Sequence, residues 1–263
     1  MPKSALARLL PHLGRTGRAA RWKRGKGKRP RVWAHRGDSA HAPENTMKAF
    51  ELAVQAGADA IELDCCLDKD GEVLVFHDDT LDRLCGRPGR LEDLSFAEWK
   101  QLRVGGEPIP TLAEVLNTID LEVDVELKSP KLGRAGQLVA AAAKVIADSG
   151  AAERILVSSF DPVALTQFHR TSPDIACAYL FHKEQAMPMR KGWIGTLVGA
   201  SAVHPEHTLC TEASVKAWHQ AGLPINAWTV DDDAELIRLG KLGIDGVFAN
   251  DPKHAVDVLA TLY

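Results

Sequence analysis

No apolar run in the 263 residues approaches the ~20 that a helix needs to cross a bilayer, which rules out a helical span in this chain. There is no CxxC pair. The five cysteines, Cys65, Cys66, Cys85, Cys177 and Cys210, are odd in number, and two neighbours in a strand point to opposite faces, so the expectation is reduced thiols in a cytoplasm. With 21 Gly and 14 Pro, the chain has too little of either to be collagen-like, mucin-like or wholly disordered. A chain of this length buries roughly three quarters of its unfolded surface, so no disulfide or metal staple is needed to hold a core.

Acidic residues are missing from one end. Residues 1–31 carry 11 Lys and Arg and no Asp or Glu, which leaves 21 basic against 35 acidic side chains in residues 32–263, a balance of −14. A secretory signal would need about 7 to 15 continuous apolar residues, and Ala5–Leu10 is interrupted by Arg8 and stopped by Pro11. The reading is a cytoplasmic protein. Residues 1–31 form a basic extension and residues 32–263 the folded domain. Ala5, Leu6, Leu9 and Leu10 fit a short amphipathic turn that would put the following cations on an anionic membrane surface at the inner face, at ~1 kcal/mol per contact. A disordered, solvated extension has the same composition. Charge alone would also admit nucleic acid, but that partner is not expected.

After Pro30, short β-branched runs alternate with helical patterns. The strand candidates are 32–36, 59–66, 121–127, 154–158, 174–180, 196–203, 224–230 and 244–249. The first helix, 46–57, spaces Met47, Phe50 and Val54 on one face, with Asn45 as N-cap and Gly57 as stop. A second clear helix, 135–149, places Leu138, Ala142 and Val145 on one stripe. Strand–helix alternation gives right-handed parallel units, and eight of them predict a (β/α)8 TIM barrel. An open doubly wound sheet would show the same alternation. The second unit is interrupted: Asp70-Gly71 between two apolar runs reads as a hairpin that extends strand two and delivers His77-Asp78 near its end.

Strand side chains alternate, so Glu62 and Asp64 share one face, as do Glu122, Asp124, Glu126 and Lys128. A solvated antiparallel face would look the same for one strand. In a parallel barrel the outer face must be apolar to meet helices, which forces the acids into the lumen. Buried carboxylates need compensating charge, and one divalent cation, Mg2+ or Ca2+, supplies it with oxygen ligands. Glu62, Asp64 and Glu126 lie nearest the C-terminal ends of their strands, where barrel sites form; Glu122 and Asp124 lie deeper and read as structural. His35 and His77 fall at the same rim, where imidazoles exchange protons near neutral pH. Arg36 and Lys128 add fixed positive charge suited to a phosphoryl group. Trp228 shares its face with Asn226 and is placed as an apolar wall at the rim, the alternative being a core residue facing a helix.

These residues carry a resemblance. His35-Arg36-Gly37, Ala42-Pro43-Glu44-Asn45-Thr46, Glu62-x-Asp64, the segment from His77 to Arg83, Ile109-Pro110-Thr111-Leu112 and Glu126-x-Lys128 are similar, in order, to the glycerophosphodiester phosphodiesterase family. So is Trp228-Thr229-Val230. The resemblance spans about residues 32–255. It implies a TIM barrel that uses one divalent cation to hydrolyse glycerophosphodiesters to glycerol 3-phosphate and an alcohol. Glu62, Asp64 and Glu126 would be ligands, His35 and His77 the acid/base pair, Arg36, Lys128 and Trp228 substrate contacts, and Glu44 and Asn45 supports. The glycerol 2-hydroxyl would attack phosphorus, and water would open the cyclic phosphate. Asp38, Ser39 and Asp231 depart from the family pattern. Two alternatives keep the barrel: a lysophospholipase D working at a membrane surface, and a phosphodiester-binding barrel without turnover.

Overall fold

The computed structural model describes residues 19–128, 135–187 and 189–263. Eight parallel strands form its central ring: β1 (Arg31–Ala34), β2 (Ala60–Leu67), β6 (Glu122–Leu127), β7 (Ile155–Ser159), β8 (Ala176–Phe181), β9 (Ala202–Pro205), β10 (Asn226–Ala227) and β11 (Gly246–Ala249). Their order is β10-β11-β1-β2-β6-β7-β8-β9. Parallel bridges Val203–Ile225 and Glu206–Trp228 bring β9 back to β10 and close the ring. The expected (β/α)8 barrel is the observed fold. Three further strands lie in the excursion after β2: β3 (Val73–Val75) pairs antiparallel with β2, and β4 (Arg103–Val104) pairs with β5 (Glu107–Pro108).

The period of two explains the layers. Outward residues such as Ile61, Leu63, Val123 and Val125 are fully buried beneath the helices, while the inward set of the same strands is polar. Lower in the lumen the rule changes to shape. Trp33 stacks on Phe248 at 5.6 Å, and the small side chains of Ala60, Ala176, Ala178 and Ala202 leave room for the two rings. At Gly246 no side chain fits, since a Cβ would lie 2.4 Å from Asn226 Oδ1 and 2.8 Å from Trp33 Nε1.

Several local expectations are corrected. Thr46, not Asn45, caps the helix Met47–Gln55, its hydroxyl accepting from Ala49 N, and Val54 is exposed because Ala49, Phe50 and Ala53 form the buried stripe. The stretch expected as a strand from 196 begins as the helix Trp193–Leu197, and β9 starts only at Ala202. The apolar residues there satisfy helical packing before they reach the sheet. β10 has only two residues, far short of 224–230, with isolated bridges on either side of it.

Residues 19–31, which the composition assigns to the basic extension, pack on the N-terminal mouth of the ring. Trp22 is buried against Trp33 at 5.6 Å. Arg31 pairs with Glu122 at 2.8 Å, Arg29 Nη2 with Asp59 Oδ1 at 3.2 Å, and the Arg24 amide with Asp245 Oδ1 at 2.7 Å. Glu122 is therefore part of this seal. The amphipathic turn expected at Ala5–Leu10 lies outside the described residues.

Candidate active site

The acidic centre follows from register. β2 and β6 pair Glu62 with Asp124 and Asp64 with Glu126, which stacks four inward carboxylates in two adjacent rows. Glu62, Asp64 and Glu126 each offer an oxygen within 4.8 Å of the others. All three are buried, as the lumen position requires. Burial and the neighbouring acids Asp64 and Glu126 push the Glu62 carboxyl well above the usual range. Burial likewise lifts Glu126 to about 7, against the pull of Lys128. Asp64 goes the other way: burial would raise it, but Lys128 Nζ at 3.1 Å and Arg36 Nε at 3.2 Å hold it well below.

Arg36 is placed by an unusual turn. It and Asn45 both have φ of +58° and Gly37 has +83°, and a Cβ on Gly37 would lie 2.6 Å from the Ala49 carbonyl carbon. Only glycine fits there, which is the physical reason for the third position of His35-Arg36-Gly37. The turn aims the Arg36 amide at Glu62 Oε2 (2.9 Å) and lets Asn45 Nδ2 donate to Asp64 Oδ2 (2.8 Å). Asn45 thus braces a carboxylate where a helix cap was expected.

His35 ends the inward face of β1. Its Nδ1 lies 2.8 Å from Asn250 Oδ1, and Asn250 Nδ2 donates to Asp231 Oδ2 at 2.6 Å. Since the amide nitrogen is committed to Asp231, the Asn250 oxygen must accept, so His35 Nδ1 carries the proton and Nε2 the lone pair. Burial lowers His35 to about 4, with Arg36 adding to the effect.

His77 arrives through the hairpin. Phe76 N donates to Asp64 O (2.9 Å), which ties the end of β3 to the acidic strand. The ring then donates from Nδ1 to Asp78 Oδ1 at 2.6 Å. Asp78 accepts from Arg83 at 2.6 and 2.7 Å, Arg83 reaches Glu44 at 2.8 and 2.9 Å, and Glu44 accepts from Arg36 at 2.9 Å. Four alternating charges, Arg36, Glu44, Arg83 and Asp78, thus lead to the His77 ring. Burial lowers His77 despite the opposing pull of Asp64 and Asp78.

His35, His77, Arg36, Lys128, Glu62 and Glu126 line one cavity of about 170 Å³, with Trp228 and Phe160 on its wall. The Trp228 indole is fixed by donating to His204 O at 2.8 Å and meets Phe160 edge-on at 5.5 Å. Asp124 lies below with Ser158 Oγ at 3.1 Å and His204 Nδ1 at 3.3 Å. The ring therefore brings the eight residues expected at the site, His35, Arg36, Glu62, Asp64, His77, Glu126, Lys128 and Trp228, to one mouth, while Glu122 lies at the other. Missed were Phe160, His204 and Asn250. The alternation Leu156, Ser158, Phe160 and Gly246, Phe248, Asn250 would have placed two of them inward. Cys66 borders His77 and Lys128, as its shared face with Asp64 predicts, and none of the five cysteines forms a disulfide.

The donor set fits a hard cation. Three buried carboxylates offer oxygens within 4.8 Å of one another, and two of them, Glu62 and Glu126, are pushed above the usual range, which marks oxygen donors short of positive charge.

Fold and mouth together define a TIM-barrel enzyme with an acidic, histidine-flanked centre. Residues 35–254 match the model of the glycerophosphoryl diester phosphodiesterase family, and the chain belongs to that family. It is 33% identical over 242 residues to a glycerophosphodiester phosphodiesterase of Caldanaerobacter subterraneus, covering 87% of this chain and 97% of that one. An Oleispira antarctica phosphodiesterase, solved with the product sn-glycerol-3-phosphate, superposes with a TM-score of 0.79 at 28% identity, covering 88% and 97% of the two chains. A glycerophosphodiester phosphodiesterase of Thermotoga maritima gives 0.73 at 28%, covering 88% and 99%.

Proposed function

We propose that the protein hydrolyses glycerophosphodiesters to glycerol 3-phosphate and an alcohol, with Glu62, Asp64 and Glu126 holding one Mg2+ or Ca2+. The observation that carries this reading is that His35 and His77 open on the same cavity as Glu62 and Glu126, each ring held through Nδ1 by a different kind of partner. When bound, the cation supplies positive charge to the phosphoryl oxygens.

The two imidazoles then divide the work. His35, kept neutral by burial and by Arg36 and oriented by its amide partner, accepts the glycerol 2-hydroxyl proton at Nε2. The hydroxyl oxygen bonds to phosphorus and the bond to the leaving alcohol breaks. His77, whose Asp78 partner favours the protonated ring, gives that oxygen its proton. Water then adds to phosphorus with His77 taking its proton, the ring bond to the 2-oxygen breaks, and His35 returns the first proton. Arg36 and Lys128 stabilise the equatorial charge, and Trp228 with Phe160 walls the alcohol. Tethering the nucleophile gains an effective molarity of up to ~10^5 M or more, and each proton transfer contributes roughly 10^2- to 10^4-fold.

The test is release of glycerol 3-phosphate and alcohol from glycerophosphocholine and glycerophosphoethanolamine in Mg2+, Ca2+ or EDTA. Metal-dependent release supports the reading. A pure protein that binds these diesters without cleaving them overturns it in favour of a binding barrel.

A further inference from the structure

Parallel strands give the ring two unlike ends. The site lies at the C-terminal ends of β1, β2, β6 and β11, while residues 19–31 cover the opposite mouth. That segment is anchored by what it buries: Trp22 fills the mouth, and its arginines use the acids available there, Arg29 on Asp59 and Arg31 on Glu122. The lysines are left over. Lys23, Lys26 and Lys28 are exposed, and none pairs with an acid among the described residues. Lys23 and Lys28 border a cavity of about 330 Å³ lined also by Arg24, Arg29 and Arg31 and by two acids, Asp59 and Asp245, which Arg29 and the Arg24 amide engage. Of the acids that precede barrel strands, Asp120 interacts with Arg154, and Glu153 and Asp174 precede β7 and β8 across the ring. The sequence before Ala19 adds Lys3, Arg8, Arg15 and Arg18, still without an acid.

We infer that the Lys23–Arg31 face is a docking surface for an anionic lipid bilayer, and that docking turns the catalytic mouth away from the lipid toward dissolved diesters. A flat array of phosphate headgroups matches free lysines on a rigid segment, since each ammonium keeps its freedom to meet a phosphate as a point charge. A lysophospholipid held in the same bilayer would then face the wrong end of the barrel.

The test is flotation of the full chain with phosphatidylglycerol/phosphatidylcholine vesicles, beside pure phosphatidylcholine vesicles and a DNA duplex. Neutralising Lys23, Lys26 and Lys28 together to Gln is expected to weaken binding to anionic vesicles on the order of 100-fold, at roughly fivefold per charge, with melting temperature unchanged. Vesicle-bound protein is expected to cleave soluble glycerophosphocholine as fast as free protein and to leave bilayer-embedded lysophosphatidylcholine uncut. Equal binding by the triple variant, equal binding to neutral vesicles, preference for the duplex, or cleavage of the embedded lipid each overturns the inference. Vesicle binding is read without turnover, so an inactive protein would refute the proposed activity and leave this result standing.

Discussion

His35 Nδ1 and Asn250 Oδ1, 2.8 Å apart and 215 residues distant in the chain, select one tautomer of the imidazole. Replacing Asn250 with Leu leaves the ring free to rotate and to protonate at either nitrogen. A fall in kcat of roughly 10- to 100-fold with little change in KM is expected, while His35→Ala should lose the full ~10^2- to 10^4-fold of a proton-transfer group. Steady-state kinetics on glycerophosphocholine measure both. An Asn250→Leu variant at wild-type kcat would show that the amide does not orient the base.

Arg83 acts on His77 only through Asp78. Its side chain is half exposed, so Arg83→Met should barely move stability, yet it releases Asp78, whose carboxyl Arg83 holds down at about 2. The expected outcome is a severalfold lower kcat with an unchanged melting temperature. Loss of stability instead of rate would make the charge chain a scaffold.

Glu62→Gln separates function from stability. In the metal-free protein the change removes one of three crowded buried acids, so the melting temperature should rise by ~2–4 °C for each kcal/mol of repulsion relieved. The further stabilisation that Mg2+ or Ca2+ gives the wild type should disappear. Thermal melts with and without metal read both effects. A variant that keeps the metal-induced shift would place the cation elsewhere.

Trp22→Ala should destabilise the fold by about 3–5 kcal/mol, because the ring is buried on Trp33 rather than carried on a loose extension. Urea unfolding measures it. A loss below about 1 kcal/mol would make residues 19–31 dispensable to the barrel.

Acid should weaken one cluster far from the site. Hydrogen bonds from Arg238, with His207 also contributing, lower Glu235 from its ordinary value of 4.5 to about 2. A depressed carboxylate contributes stability above its unfolded pKa and loses it as pH falls through the folded one, so the contribution is full above about 4.5 and fades toward about 2. Wild-type protein should therefore lose more urea resistance than Glu235→Gln on acidification across that window. Parallel slopes would show that the cluster contributes nothing.

Much of this was legible in the chain. Alternation of strand and helix patterns is local, and so is the period of two that puts Glu62, Asp64 and Glu126 on inward faces, because each depends only on neighbouring residues and on helices needing an apolar wall. The helix at Trp193–Leu197 was not legible, since a short apolar run has no period that separates helix from strand.

The sequence by itself determined the alternation of strands and helices and the strand faces that the acids share, while the demand for glycine after His35-Arg36 became visible only in the turn. Only the tertiary structure decided which groups meet across the ring: Asn250 with His35, Arg83 between Glu44 and Asp78, Trp22 against Trp33. The reason is physical. Such pairs are set by strand register and ring closure, properties of the whole sheet that no local pattern records.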